Sequence, residues 1–191
     1  MKAEVELLKL KLTDAQEIKL ENMRLNNLLT LKQKSSFKVI AARVIGRSPD
    51  NWSSVIIIDK GVYNGIRPKM VAMSYLGLVG KVIESSNHVS KIILINDPNF
   101  TISAISQRSR QEGLVCGTLG GALIMRYLNS DSDIKVQDVI VTSGLTENCP
   151  KALPIGSVVA LEDEFSGLSR YAIIKPTVDL SNIEEVLIIV P

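Results

Sequence analysis

An abrupt change of grammar near residue 36 constrains this chain more than any other feature. All 12 glycines, all 7 prolines and every aromatic residue lie beyond it, while Met1 to Ser36 is built mainly from Leu, Lys, Glu, Asn and Gln with no helix breaker. Asn apart, these are good helix formers, so the pattern predicts one helix from about Lys2 to Lys34. Its apolar spacing says what the helix is for. With Leu8 at an a position, the a and d sites are Leu8, Lys11, Ala15, Ile18, Asn22, Leu25 and Leu29, at intervals alternating three and four. Apart from Lys11 and Asn22 these are apolar, and a buried Asn at an a site favours a dimer in one register at some cost in stability. The expected dimerisation seam of a coiled coil is therefore Leu8, Ala15, Ile18, Asn22, Leu25 and Leu29. Leu7, Leu10, Leu12 and Leu20 fall off that seam, which keeps a second reading open, an amphipathic helix packed on the chain's own β body.

After Phe37 the apolar period changes to two. Phe37–Ile45 and Ser53–Asp59 read as strands, separated by a breaker-rich turn from Gly46 to Asn51. Further short strands are expected at Met70–Tyr75, Leu78–Glu84, Val89–Ile95, Thr101–Ser106, Gly113–Leu119 and Ala122–Leu128. Asp138–Thr142, Gly156–Glu162, Arg170–Val178 and Glu185–Val190 complete the set. There is no room for crossover helices, so a parallel βαβ arrangement is disfavoured. The fold class is mainly β: an N-terminal coiled-coil helix (1–36) followed by two small six-stranded β-barrel-like subdomains. Two partitions fit, a simple division near Arg110 or an insertion. Polar stretches at 63–69 and 129–133 read as linkers and favour insertion, with 68–130 set into a first subdomain made of 37–67 plus 131–191.

Composition excludes several roles. The net charge is +2, with Lys and Arg interleaved with acids, so no basic face for nucleic acid is expected. Charged residues interrupt every apolar stretch near Met1, which leaves no readable signal peptide. The longest uncharged run, Gly113 to Met125, is too short to span a bilayer, which needs about 20 residues. The chain opens inside a helical pattern, which suggests a piece of a longer protein. Two cysteines, Cys116 and Cys149, are too few for a disulfide framework and have no CxxC spacing. Cys116 reads as a plain buried thiol and Cys149 as a loop residue; they could pair only in an oxidising compartment with suitable geometry.

No pattern of catalytic residues stands up. Two six-stranded barrels are also the frame of trypsin-like serine proteases, and His88, Asp97 and Ser143 occur in that family's chain order. Yet the residues around Ser143, from Val141 to Leu145, lack a glycine-rich loop to shape an oxyanion hole, and His88 sits in a polar turn. One histidine and two distant cysteines make a poor zinc set. Gly77-Leu78-Val79-Gly80 and Gly117-Thr118-Leu119-Gly120-Gly121 lack the phosphate-loop pattern and open no helix; such glycines mark bulges, barrel corners or close backbone approach. The acid run Glu162-Asp163-Glu164 reads as a solvated turn. No catalytic, cofactor-binding or metal residue is expected.

Five ordered phrases carry a family resemblance. They are Asp59-Lys60-Gly61-Val62-Tyr63-Asn64-Gly65-Ile66, Gly77-Leu78-Val79-Gly80-Lys81-Val82, Val139-Ile140-Val141-Thr142-Ser143-Gly144-Leu145, Pro150-Lys151-Ala152-Leu153-Pro154-Ile155-Gly156-Ser157-Val158 and Pro176-Thr177-Val178-Asp179-Leu180. Together they resemble the MreC family of bacterial rod shape-determining scaffolds, over about Val39 to Val190. Three departures stand out: Gln137-Asp138 in place of the family's Gly-Asp, Thr146-Glu147-Asn148-Cys149 in place of a glycine-rich stretch, and Ala152 where a glycine is usual.

The resemblance implies a non-catalytic protein tied to the cytoplasmic (inner) membrane by a helix missing here, with its body in the periplasm or otherwise outside that membrane. It implies a homodimer or higher polymer. The implied partners are the elongation-specific penicillin-binding transpeptidase, MreD and the MreB cytoskeleton. Exposed strand edges on such a body would offer sites for strand addition. A membrane-fusion or secretion adaptor also joins coiled coils to β barrels, but normally with a helical hairpin flanked by β segments on both sides. A single helix comes first here.

Overall fold

Strands in this chain arise where β-branched residues alternate with polar ones, and the computed structural model contains twelve of them among the described residues. Those residues are 2–34, 37–48, 54–129, 131–163 and 169–190; positions 49–51 of the first expected turn, Ser53, Ser130 and Glu164 lie outside them. The helix α1 runs Lys2–Lys34, 33 residues without a break. It belongs to one compact unit, Met1–Ser36, and the β body, Phe37–Pro191, is a second.

The body is two closed antiparallel barrels. The first is made of β1 (Lys38–Arg47), β2 (Val55–Ile58), β3 (Val71–Ser74), β4 (Gly77–Ser85), β5 (Ser90–Leu94) and β12 (Glu185–Val190), in the order β1-β12-β3-β4-β5-β2. The second takes β6 (Thr101–Ser106), β7 (Glu112–Gly117), β8 (Leu123–Asn129), β9 (Val139–Thr142), β10 (Pro154–Asp163) and β11 (Ser169–Pro176), in the order β10-β11-β8-β7-β6-β9. The alternation of β2 shows how each core fills: Ile56 and Ile58 point inward at 0% exposure, while Val55 and Ile57 are half-buried. In the second barrel Val115, Leu123, Met125 and Ile140 do the same.

Three expectations are corrected. Insertion does occur, but the inserted barrel spans Thr101–Pro176, and residues 68–130 are not a unit. The first barrel is 38–94 plus β12, so neither a subdomain of 37–67 plus 131–191 nor a simple break near Arg110 describes the chain. The polar stretch at 63–69 is no linker; it forms a single 3-10 turn at Val62–Asn64 and a turn into β3, inside the first barrel. What closes that barrel is the pairing of β1 with β12, Lys38 opposite Val190 through Arg43 opposite Glu185, a contact across the whole body. Closure also removes the free strand edges expected for strand addition, because every described strand has two partners.

Bulges explain apolar residues that face water. Extra residues break the ladders at Ile45 in β1, Ile83 in β4 and Val159 in β10. A bulged residue loses its place in the in-out alternation, and these three are 56%, 45% and 46% exposed.

Candidate functional site

The helix carries the expected seam on an uncovered face. Leu8, Ile18, Leu25 and Leu29 are 60%, 59%, 44% and 51% exposed, and Ala15 and Asn22 are also exposed. Asn22 Nδ2 donates to the carbonyl of Ile18 at 3.1 Å, a back-bond to the preceding turn that leaves Oδ1 available to a partner. The off-seam residues Leu10, Leu12 and Leu20 are exposed as well. No helix of the described residues is long and apolar enough to cross a membrane.

Where the barrels meet, backbone meets backbone. Gly77, at φ +151°, lies so close to Pro154 that an added Cβ would sit 2.3 Å from its carbonyl oxygen. Gly117 stands equally close to the backbone of Asn96 and Asp97. The two glycine-bearing phrases are thus close-approach sites between strands, barrels and linker, and no phosphate cradle. Asp97 is fully buried in the linker between barrels. Its Oδ2 accepts from the Ser54 backbone N–H at 2.7 Å, and its Oδ1 from the N–H of Asn99 at 2.8 Å and from Asn99 Nδ2 at 3.2 Å. The carboxylate therefore pins the linker to the chain entering β2.

The loop between β9 and β10 reaches back to the first barrel through Lys69 Nζ and Glu147 Oε2, 2.9 Å apart. The ammonium holds the Glu147 carboxyl below its usual range. Three residues of this loop are left-handed: Gly144 at φ +79°, Asn148 at +59° and Ala152 at +66°. Ala152 occupies a conformation that suits glycine, which gives physical content to the departure noted there. A network around buried Asp138, with Arg108 and Asp133 exposed, closes the other side of the second barrel. Asp138 accepts from Arg108 Nε at 2.7 Å and Nη2 at 2.9 Å, from the Lys135 N–H at 3.0 Å and from Ser106 Oγ at 3.4 Å. Arg108 also grips Asp133 at 2.7 Å. Its hydrogen bonds, ahead of the opposing effect of burial, hold both aspartates below their usual range.

The residues weighed for protease chemistry have other partners. Ser143 Oγ accepts from the Leu145 N–H at 3.2 Å; the His88 ring meets Tyr63 edge-on, centroids 5.2 Å apart; Asp97 is saturated in the linker. Glu162 accepts from the Tyr171 hydroxyl and Asp163 pairs with Arg170 at 2.9 Å, so these two acids stand on paired strands. Among the described residues no group of His, Cys, Asp and Glu could hold a metal. Cys116 and Cys149 are free and buried; burial pushes both thiols up, Cys149 to about 11, so neither is a ready nucleophile.

A family model described as rod shape-determining protein MreC, barrel core, matches residues 44–190. The chain belongs to the MreC family. Cell shape-determining MreC proteins of Geobacillus stearothermophilus and Bacillus subtilis are each 33% identical over 189 residues, covering 91% of this chain and 64% of theirs. The chain thus spans less than two thirds of the length of those relatives. A solved MreC structure overlays with a TM-score of 0.81 at 26% identity, covering 91% of this chain and 99% of that one. The major periplasmic domain of another MreC, described as a cell shape-determining filament, overlays at 0.70 and 28% identity, covering 80% and 95%. In a complex between penicillin-binding protein (PBP2) and MreC from Helicobacter pylori, a chain overlays at 0.65 and 15% identity, covering 80% and 99%; this likeness is one of fold alone. Membership of the MreC family stands against both the adaptor and the protease alternatives.

Sequence reasoning missed Asp97 as a junction residue. The signal was present: Asp97-Pro98-Asn99 is a turn phrase in which an Asp side chain captures the N–H two residues on.

Proposed function

We propose that the chain is a non-catalytic scaffold of the bacterial cell-elongation machinery, organising peptidoglycan synthesis and cell shape through self-association and protein contacts. The observation that carries this reading is the family's double barrel joined to a helix whose a/d seam is uncovered. Unpaired, the seam leaves large apolar side chains in water, and a second helix in register would bury them. The helix is the element for homodimerisation or higher assembly, with Leu8, Ala15, Ile18, Asn22, Leu25 and Leu29 as its seam.

The elongation-specific penicillin-binding transpeptidase is the first partner proposed for the body, supported by the Helicobacter pylori complex between a penicillin-binding protein and MreC. MreD and MreB are further partners by family resemblance. The body is proposed to lie in the periplasm or otherwise outside the cytoplasmic membrane, as in the relative described as a periplasmic domain, and an anchor helix preceding α1 is proposed by family resemblance. The test is to mix the full chain with the soluble domain of the elongation transpeptidase from the same cell and follow both by sedimentation. A stoichiometric complex is expected. Separate boundaries at concentrations where the chain itself self-associates would contradict the scaffold reading.

A further inference from the structure

A barrel wall facing water should put polar residues outside and apolar ones inside. Strands β7, β8 and β11 break that rule. Val115, Leu123 and Met125, at 0% exposure, fill the interior, yet most of the residues alternating with them are apolar too. Cys116 pairs with Ile124, Ile124 with Ile173, and Leu114 with Arg126, which places all five on the outer face. Arg126 is exposed, and among the described residues it has no hydrogen-bond or ion-pair partner.

Two adjoining hollows of about 470 and 550 Å³ flank this arginine, which lines both. Ile124, Tyr171 and Ile173 line the first, Leu114, Cys116 and Leu119 the second. Each is large enough for several side chains. Tyr127 stands at the rim, 74% exposed and at φ +62°, where β8 bulges so that Arg126 and Tyr127 together oppose Tyr171.

Such a wall has two unmet demands. Half-buried Leu114 and Ile173 and exposed Leu119 call for further burial beside the already buried Cys116 and Ile124, and a guanidinium next to them calls for a carboxylate, which its planar fork can take bidentately. The acid among the described residues that line the two hollows, Asp163, is already held by Arg170, which leaves Arg126 there without a carboxylate. One such cation is too few for a nucleic-acid or anionic-lipid surface, which needs a cluster. We propose that this wall docks a segment of a partner protein in which apolar side chains flank an Asp or Glu, the carboxylate meeting Arg126. The scaffold reading enters only as the source of the segment, since a protein that gathers partners needs faces of this kind.

The test is an NMR titration of the isotopically labelled full chain with acetyl-Leu-Val-Asp-Val-Leu-amide and with the same peptide carrying Asn for Asp. Shifts are expected at Leu114, Ile124 and Ile173, with the Asp peptide binding about tenfold tighter, the worth of one charge-assisted contact. Arg126→Gln, a change at an exposed residue without a partner, should erase that preference and leave the Asn peptide unaffected. Leu119→Ser should weaken both peptides alike. Equal affinity of the two peptides, shifts elsewhere on the chain, or a preference that survives Arg126→Gln would overturn the proposal. None of these outcomes bears on whether a transpeptidase complex forms, and its absence would not alter the peptide preference.

Discussion

Replacing Gly77 with alanine should be among the most damaging one-carbon changes this body can suffer. The new Cβ would lie 2.3 Å from the Pro154 carbonyl oxygen and 3.1 Å from its carbon, both backbone atoms that no rotamer change can move. Overpacking of this kind costs about 1–3 kcal/mol. Gly77 also sits at φ +151°, a region nearly reserved for glycine, and an L-residue there costs about 1–3 kcal/mol more. One backbone shift would relieve part of both, so the sum is about 3 kcal/mol rather than the extreme. For a chain of this size that is a fall in Tm of about 6–12 °C. Thermal unfolding of the full chain by circular dichroism reads it directly, with Gly46→Ala as the control. There the added Cβ meets only the Ile57 side chain, at 3.6 Å, and the change should stay within about 1 kcal/mol. A Gly77→Ala protein within about 1 kcal/mol of the parent would refute the close-approach reasoning, as would equal damage from Gly46→Ala.

Three further perturbations probe other parts of the molecule. Ala152→Gly should stabilise by about 1 kcal/mol in urea melts, because Ala152 is held at φ +66° where glycine carries no steric penalty; destabilisation would show that the methyl group packs usefully. Asp138→Asn should cost about 2 kcal/mol at neutral pH by weakening the bonds from Arg108. Because the native Asp133 and Asp138 carboxyls are held below their usual range, their stabilisation is present above the unfolded value, roughly 4. It is lost as pH falls through the folded values, so the acid limb of the parent's stability profile should be steeper than that of Asp138→Asn, and parallel limbs would contradict this. Asn22→Val should tighten self-association while broadening the distribution of oligomers in sedimentation velocity, since a buried Asn selects one register at the expense of strength.

Much of the fold was legible because it is written locally. Twelve strands follow from alternation and turn residues within short windows, and the helix from an uninterrupted run of helix formers. The partition was not legible, because barrel closure depends on β1 meeting β12, residues separated by the entire second barrel. Polar composition misled at 63–69, where turn residues serve a 3-10 turn within one barrel rather than a linker between two. The true crossings, at 95–100 and 177–184, are short and carry apolar anchors such as Phe100 and Leu180. Heptad spacing alone marks the seam proposed for the helix. The outer wall around Arg126 left a fainter mark, the unbroken apolar run Leu123-Ile124-Met125, which says that both faces of β8 are apolar without saying what covers the outer one.

The helix, through its a/d seam, is proposed to turn the barrel body into an assembling scaffold. Sedimentation equilibrium of the full chain against a version lacking residues 1–34 tests it most directly. A dimer or larger species is expected for the full chain, and a monomeric barrel body after truncation. An unchanged association state on truncation, or a full chain that stays monomeric, would contradict it.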